Sequence, residues 1–308
     1  MVYVFSTCDN EMFRYVFGAL DEPVSIIVLP KSIENNYFAR KLAHILWKFG
    51  IFIKYNFFGC EFNHFLCNIR PEDKVIFYAR FPEHLFNVVP WLNSRVRVCL
   101  WMWDILDSIP FVKQKINIIK KLNIPIYTFD RKDAANYAIQ YIPQLYNFKK
   151  PRNINEGNAG IQKCDVYFLG VPKDEYRMSW YKKAERLFQD NSIAFQSIMV
   201  DNTSVTYIGY NENLDNLSKC RAILELNIDG QVGLTLRTME SLSFRKKLIT
   251  NNPHIKEYNF YRSNNIFILG EDNPEYLKDF LEMEYEDIPF GIIAEYDVNA
   301  WINKIFEK

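Results

Sequence analysis

The sequence lacks the short signatures that tie a chain to common ligand chemistry. It has no G-x-G-x-x-G, so the dinucleotide fingerprint is missing, and no Walker A loop. It has no G-x-S-x-G nucleophile elbow. Its four histidines, His44, His64, His84 and His254, form neither H-x-x-x-H nor H-E-x-x-H, which argues against a zinc site. Its six cysteines show no C-x-x-C spacing and read as reduced thiols, not as a disulfide framework. No apolar run approaches the roughly 18 residues needed to span a bilayer. Met1 leads straight into the apolar segment VYVF with no basic region before it. The expectation is a cytoplasmic protein, at most peripheral to the inner face of a membrane. These absences argue against dehydrogenases, P-loop NTPases, α/β-hydrolases and zincins. Doubly wound enzymes that hold a nucleotide without a glycine-rich fingerprint remain.

A length of 308 residues predicts two domains, at roughly 100–200 residues each. Hydrophobic residues make up 49% of the chain, ample for two cores. The 25 Phe and 19 Tyr serve mainly packing, with sugar or base stacking as the sharper alternative. The net charge of zero hides an asymmetry: residues 1–150 carry 19 Lys/Arg against 13 Asp/Glu, and residues 151–308 carry 18 against 24. The basic half suits an anionic partner or membrane surface. Its excess is too diffuse for nucleic acid.

The first half alternates strand-like runs with amphipathic stretches. The strand candidates are Val2–Ser6, Val24–Leu29, Ile51–Phe57, Lys74–Tyr78, Val96–Trp101 and Pro125–Phe129. Between Asn36 and Phe49, residues Phe38, Leu42, Ile45, Leu46 and Phe49 recur at helical spacing. Pro110–Leu122 repeats the pattern and mixes isoleucines with Lys113, Lys115, Lys120 and Lys121. A lysine-rich amphipathic helix can lie on an anionic membrane, though a solvated face on a packed helix is the commoner case. The polar segment Lys149–Lys163 reads as a linker. The second half restarts with strands Asp165–Leu169, Ile193–Val200, Ala222–Leu226, Leu248–Thr250 and Ile266–Leu269. Its helices are Asp174–Gln189, Asn213–Ser218, Leu236–Phe244 and Asp297–Phe306. The fold class expected is α/β, with two Rossmann-like doubly wound domains facing a central cleft.

One segment converges on the place where such folds bind ligands. The strand AILEL leads through NIDGQVG into the helix TLRTMESLSF, then the turn RKK and the strand end LITNN. A helix N-terminus there presents unpaired N–H groups to a diphosphate. Gly233 lets backbone approach a ligand, Thr235 and Thr238 offer hydroxyls, Arg237 a guanidinium fork, and Glu240 an acceptor for ribose hydroxyls. The plainer alternative is a Thr235 helix cap with solvated neighbours. Gly170, after the strand DVYFL, is a second candidate turn, with Lys173 and Arg177 behind it. Asn251, Asn252 and His254 follow a strand end and either touch a ligand or cap the next turn.

This segment, with DVYFLGVPKDEYR before it, resembles the nucleotide-binding lobe of bacterial GT-B fold glycosyltransferases of lipopolysaccharide and capsular polysaccharide biosynthesis. Two positions depart from that pattern. Arg245 stands where a turn glycine is usual, and Val232 where the first of two glutamates stands in retaining enzymes. The resemblance implies an acceptor-binding domain over 1–150 and a sugar-nucleotide-binding domain over 151–308, the last helix crossing back to the first. It implies transfer from a nucleotide-diphosphate sugar to an oligosaccharide or lipid-linked glycan. No cofactor or metal is expected, since no D-x-D ends a strand. Candidate general bases follow the first domain's strands: Asp9, Glu83 with His84 beside it, Asp104 and Asp130. Trp101 and Trp103 alternate on a strand end, where either can stack on a sugar or pack in the core. A two-lobed nucleotide-sugar epimerase and a catalytically silent glycan-binding or scaffold subunit are the rival readings.

Overall fold

The computed structural model describes residues 1–7, 10–30, 37–79, 85–149, 163–171, 174–200 and 208–307. The chain divides into two compact units. One comprises Met1–Ile142 with Ile302–Lys308, the other Pro143–Trp301. The division falls ahead of the expected linker, most of which lies outside the described residues.

The first unit runs β1 (Val2–Ser6), α1 (Glu11–Phe17), β2 (Val24–Val28), α2 (Tyr37–Lys48), α3 (Cys60–Cys67), β3 (Lys74–Ala79) and α4 (Leu85–Val88). It continues through β4 (Arg97–Met102), α5 (Val112–Lys120), β5 (Ile126–Thr128), α6 (Arg131–Tyr137) and β6 (Gln140–Tyr141). Its six-stranded sheet has the order β2-β1-β3-β4-β5-β6, and every pairing is parallel. Central strands of such a sheet are covered on both faces, which explains continuous apolar runs such as VCLWM in β4. Phe5 and Phe77 stack at 5.2 Å between β1 and β3, and Leu100 and Met102 extend the same core.

The second unit runs β7 (Cys164–Gly170), α7 (Glu175–Asp190), β8 (Phe195–Met199), α8 (Tyr210–Ser218), β9 (Cys220–Glu225) and α9 (Leu236–Ser243). After β10 (Lys247–Thr250) and β11 (Ile266–Ile268) come α10 (Leu277–Glu282), α11 (Phe290–Ala294) and the start of α12 (Val298–Phe306), whose residues from Ile302 onward group with the first unit. Its five strands lie in the order β8-β7-β9-β10-β11, again all parallel. Val166, Ala222, Leu224, Ile249 and Phe267 form its apolar centre. In both sheets the first strand sits between the second and third. The winding therefore reverses between β1 and β3 and between β7 and β9, where open sheets bind ligands beyond the strands' carboxyl ends. Two parallel sheets covered by helices make this an α/β fold of the expected doubly wound kind.

One expectation fails. Residues 51–56 form no strand; they run on from α2 outside the ladder. β2 is the edge strand, with β1 on one side only, and residues 51–56 form no ladder along its other side. The helix expected between Asn36 and Phe49 forms as α2, and it buries Ala43 and Trp47 while leaving Phe38, Leu42, Ile45 and Phe49 exposed.

Candidate functional site

The ladder between β7 and β9 ends at Tyr167–Ile223, short of the C-terminal end of either strand. The strands part there. Helices α7 and α9 start beyond them, so the first turns of both helices flank the point of reversal. Asp174 caps α7 by accepting the Arg177 amide at 2.6 Å. Thr235 caps α9 by accepting the Arg237 amide at 3.0 Å. Arg177, the third residue of α7, and Arg237, the second of α9, thus both stand in a first turn, one on each side of the switch point.

The two guanidiniums feel each other. Burial first, and then the charge of Arg237, lower the pKa of Arg177. Its Nη1 donates to the Val171 carbonyl at 3.2 Å, and its plane lies 5.9 Å from the Phe168 ring centre. Its Nε is buried and has no hydrogen-bond partner among the described residues. A buried donor left unpaired costs about 1–3 kcal/mol, so such atoms call for a partner. Burial also works against the charge of Arg237, but the Glu240 carboxylate outweighs it and raises the pKa.

Glu240 is fully buried. It accepts from Tyr210 Oη at 3.0 Å, from Asn213 Nδ2 at 3.4 Å and from Arg237 Nη1. Tyr210 in turn meets the Tyr146 hydroxyl at 3.0 Å, and Asn213 accepts from Tyr167 Oη at 3.2 Å. Burial and the neighbouring Glu240 hold the Tyr210 hydroxyl well above its ordinary pKa. This network joins β7, α8 and α9 around one ion pair. The expected ribose acceptor is therefore turned inward and already engaged by three donors.

The two threonines are engaged as well. Glu225, at the end of β9, is buried and accepts three hydroxyls: Thr235 at 2.5 Å, Thr238 at 2.6 Å and Thr250 at 2.8 Å. Each hydroxyl has one proton to give. Thr235 and Thr238 therefore donate to Glu225 and not outward, contrary to the expectation that they bind phosphate. Glu225 passed unnoticed in the sequence inside the strand AILEL. A single acid in an apolar strand, followed by threonines in the next helix and strand, was the available signal.

The loop between β9 and α9 is stapled by asparagines. Asn251 Oδ1 takes the Asn227 amide at 2.7 Å, and Asn252 Nδ2 reaches the Val232 carbonyl at 3.3 Å. Asn252 also caps the following turn through the His254 amide at 3.1 Å, and His254 pairs with Glu257 at 2.8 Å. These contacts fit the capping alternative. Gly233 is buried in this loop and its carbonyl accepts from Asn227. Gly170 ends β7; a side chain there would meet the Phe168 ring at 2.5 Å. Lys173 lies outside the described residues.

Arg245 adopts φ 51°, the left-handed region. It ends α9 in a paired turn: Lys246 N reaches Ser241 O at 2.9 Å and Arg245 N reaches Leu242 O at 3.3 Å. This is the geometry that glycine usually serves. The backbone keeps the glycine conformation although the side chain does not.

In the first unit, Asp9 and Glu83, with Arg80 and His84, lie outside the described residues. Asp130 is buried and caps α6, accepting the Lys132 and Asp133 amides at 2.9 and 3.1 Å. Asp104 is half-buried after β4, its Oδ1 3.1 Å from the Ile105 amide. Trp101 is core, at 0% exposure, whereas Trp103 is half-buried and stacks on Tyr78 at 5.7 Å. Asp133, not singled out in the sequence, accepts the Leu106 amide at 2.8 Å. Burial, with Asp130 and Asp107 nearby, pushes its pKa up to about 6. A groove of about 430 Å³ lined by Lys120, Pro125, Ile139 and Gln140 opens at the other end of β5, away from these loops. Among the described residues no group of three or more His, Cys, Asp or Glu is placed to hold a metal ion.

The fold has solved counterparts. The chain is similar to AviGT4, a glycosyltransferase involved in avilamycin A biosynthesis, with a TM-score of 0.51 and 9% identity over 100% of this chain and 96% of that one. It is also similar to Alr3699/HepE from Anabaena, solved in complex with UDP, at a TM-score of 0.48 and 10% identity over 99% and 95% of the two chains. A further likeness is to the Glycosylation Associate Protein (Gap123) complex from Streptococcus agalactiae, at 0.40 and 11%. There the match covers 82% of this chain and 57% of that chain. No protein-family model and no curated protein matches the sequence. At 9% identity the likeness to AviGT4 is one of fold: two doubly wound α/β units of the GT-B kind.

Proposed function

We propose that the protein is a glycosyltransferase whose second unit binds a nucleoside-diphosphate sugar at the switch point between β7 and β9. The observation that carries this reading is the arginine pair. Arg177 and Arg237 stand in the first turns of α7 and α9, repel one another, and leave a buried Nε–H of Arg177 without a hydrogen-bond partner among the described residues. A diphosphate between them would relieve the repulsion and take that hydrogen bond. The same two charges would stabilise the diphosphate as it leaves with the bonding electron pair, without calling on a metal ion. Glu240 acts through Arg237, which it orients from inside the protein. Thr235 and Thr238 act through Glu225, which fixes the start of α9. Gly170 and Gly233 shape the two turns.

The acceptor is a bacterial surface glycan of the lipopolysaccharide or capsule type, a reading supported by the sequence resemblance. A carboxylate of the first unit removes the proton of the acceptor hydroxyl. Asp104 is better suited than Asp130, because Asp130 is committed to capping α6. The reading is tested by titration calorimetry with UDP, GDP, ADP and TDP. Micromolar binding of at least one is expected, and binding of none would overturn it. Donor turnover without any acceptor would favour an epimerase instead.

A further inference from the structure

The exposed side of α2 has no role in that reading. Phe38, Leu42, Ile45 and Phe49 recur at i, i+4, i+7 and i+11, so they share one stripe of the helix. They are 81%, 54%, 46% and 74% exposed, on the side away from buried Ala43 and Trp47. Isolated exposed apolar residues are ordinary, but a contiguous row of them marks an interaction surface. The row continues past the helix, where Ile51 and Ile53 are 50% and 36% exposed.

The charged residues that accompany this row in the sequence all have one sign. Between Glu34 and Glu61 the sequence holds Arg40, Lys41, Lys48 and Lys54 and no acid. Lys41 and Lys48 are exposed on α2 beside the stripe, and Lys54 is exposed just beyond Ile53. The end of α5 adds another lysine. Lys121 packs its aliphatic stem against Gly50, which takes φ 78°, and its Nζ donates to the Lys48 carbonyl. An apolar stripe bordered by lysines whose stems can run along it is the pattern of a helix lying in a membrane interface.

We infer that this face of the first unit docks on an anionic bilayer surface, with Phe38, Leu42, Ile45 and Phe49 entering the acyl boundary and Lys41, Lys48 and Lys54 meeting the headgroups. The expectation of membrane contact thereby moves from the lysine helix α5, which buries Val112, Ile116 and Ile119, to α2. The inference does not depend on the nucleotide site.

The test is sedimentation of the full chain with vesicles of phosphatidylcholine alone and with 30% phosphatidylglycerol. The parent should bind the anionic vesicles and bind the neutral ones at least tenfold more weakly. A Phe38→Ser, Leu42→Gln, Ile45→Gln, Phe49→Ser variant should lose on the order of a hundredfold in partitioning. Its melting temperature should stay within a few degrees, since the altered side chains are exposed. Neutralising each lysine with glutamine should cost about fivefold. Parent chain that stays in the supernatant with both vesicles, or a quadruple variant that sediments as well as the parent, would overturn the inference. So would a parent dimer that the quadruple variant dissociates, because a second copy would then be the occupant.

Discussion

Replacing Glu240 by alanine removes the carboxylate that Arg237, Tyr210 and Asn213 share. The carboxylate is fully buried, while the Arg237 side chain keeps 21% exposure. Removing one partner of a buried ion pair costs roughly 3–5 kcal/mol, mostly through the charge left behind. Arg237 can turn partly to water, which favours the low end, about 3 kcal/mol. For a unit of about 160 residues this corresponds to a fall of roughly 6–12 °C in the melting temperature. Glu240→Gln keeps an acceptor for Tyr210 and should lose about half as much. Thermal melts followed by circular dichroism measure the loss, and calorimetry with the best-binding nucleoside diphosphate measures function. Affinity should fall at least tenfold in the alanine variant, because Arg237 is no longer held at the start of α9. An alanine variant that melts within about 2 °C of the parent and binds equally well would refute the view that Glu240 supports the site from behind.

Three further outcomes follow from single side chains. Arg177→Gln should weaken nucleotide binding about tenfold to a hundredfold, the weight of a charge-assisted hydrogen bond. Its melting temperature should hold or rise, because a buried unpaired donor is gone; unchanged affinity would count against the switch-point site. Arg245→Gly should stabilise the second unit by up to about 1 kcal/mol, since the left-handed strain goes and what is lost is an exposed ion pair with Asp287 and a contact 5.4 Å from the Tyr285 ring centre; a lower melting temperature would contradict this. Asp133 has a folded pKa of about 6, above its unfolded value of 3.8. Its contribution to stability is therefore full below about pH 4 and lost as pH rises through 6, a difference of about 3 kcal/mol. Asp133→Asn should flatten urea-unfolding free energies over that window, and an unaltered slope would show that another group sets it.

Strand and helix order was legible because parallel strands buried on both faces read as short apolar runs, and the helices between them keep a 3.6-residue period. Periodicity does not say which side of a helix faces the core. In α2 the small Ala43 and the large Trp47 pack inward, and the more prominent Phe38, Leu42, Ile45 and Phe49 do not. Likewise Ile51–Phe57 has strand composition, but residues 51–56 form no ladder, although β2 offers an open edge. At the candidate site, the sequence marked the segment through which α9 begins, and it marked Arg237 and Arg177. It could not show that Thr235 and Thr238 turn toward Glu225, or that Glu240 turns inward. Those orientations depend on Thr250, Tyr210 and Asn213, which come from other elements. Arg245 was visible only as a missing glycine; its φ shows that the turn itself was retained.

The return of the chain to its first unit bears on how the protein is made. Ile302–Lys308 groups with Met1–Ile142. Arg97, at the start of β4, donates to the Phe306 carbonyl at 2.5 Å across 209 residues of sequence, and its guanidinium lies 5.8 Å from the Phe306 ring centre. At about 5–20 residues per second, Phe306 leaves the ribosome roughly 10–40 s after Arg97. The first unit to be synthesised is thus completed only by residues made after the whole of the second. Until then it must wait with that surface uncovered, and a fragment ending at Ile142 would keep it so.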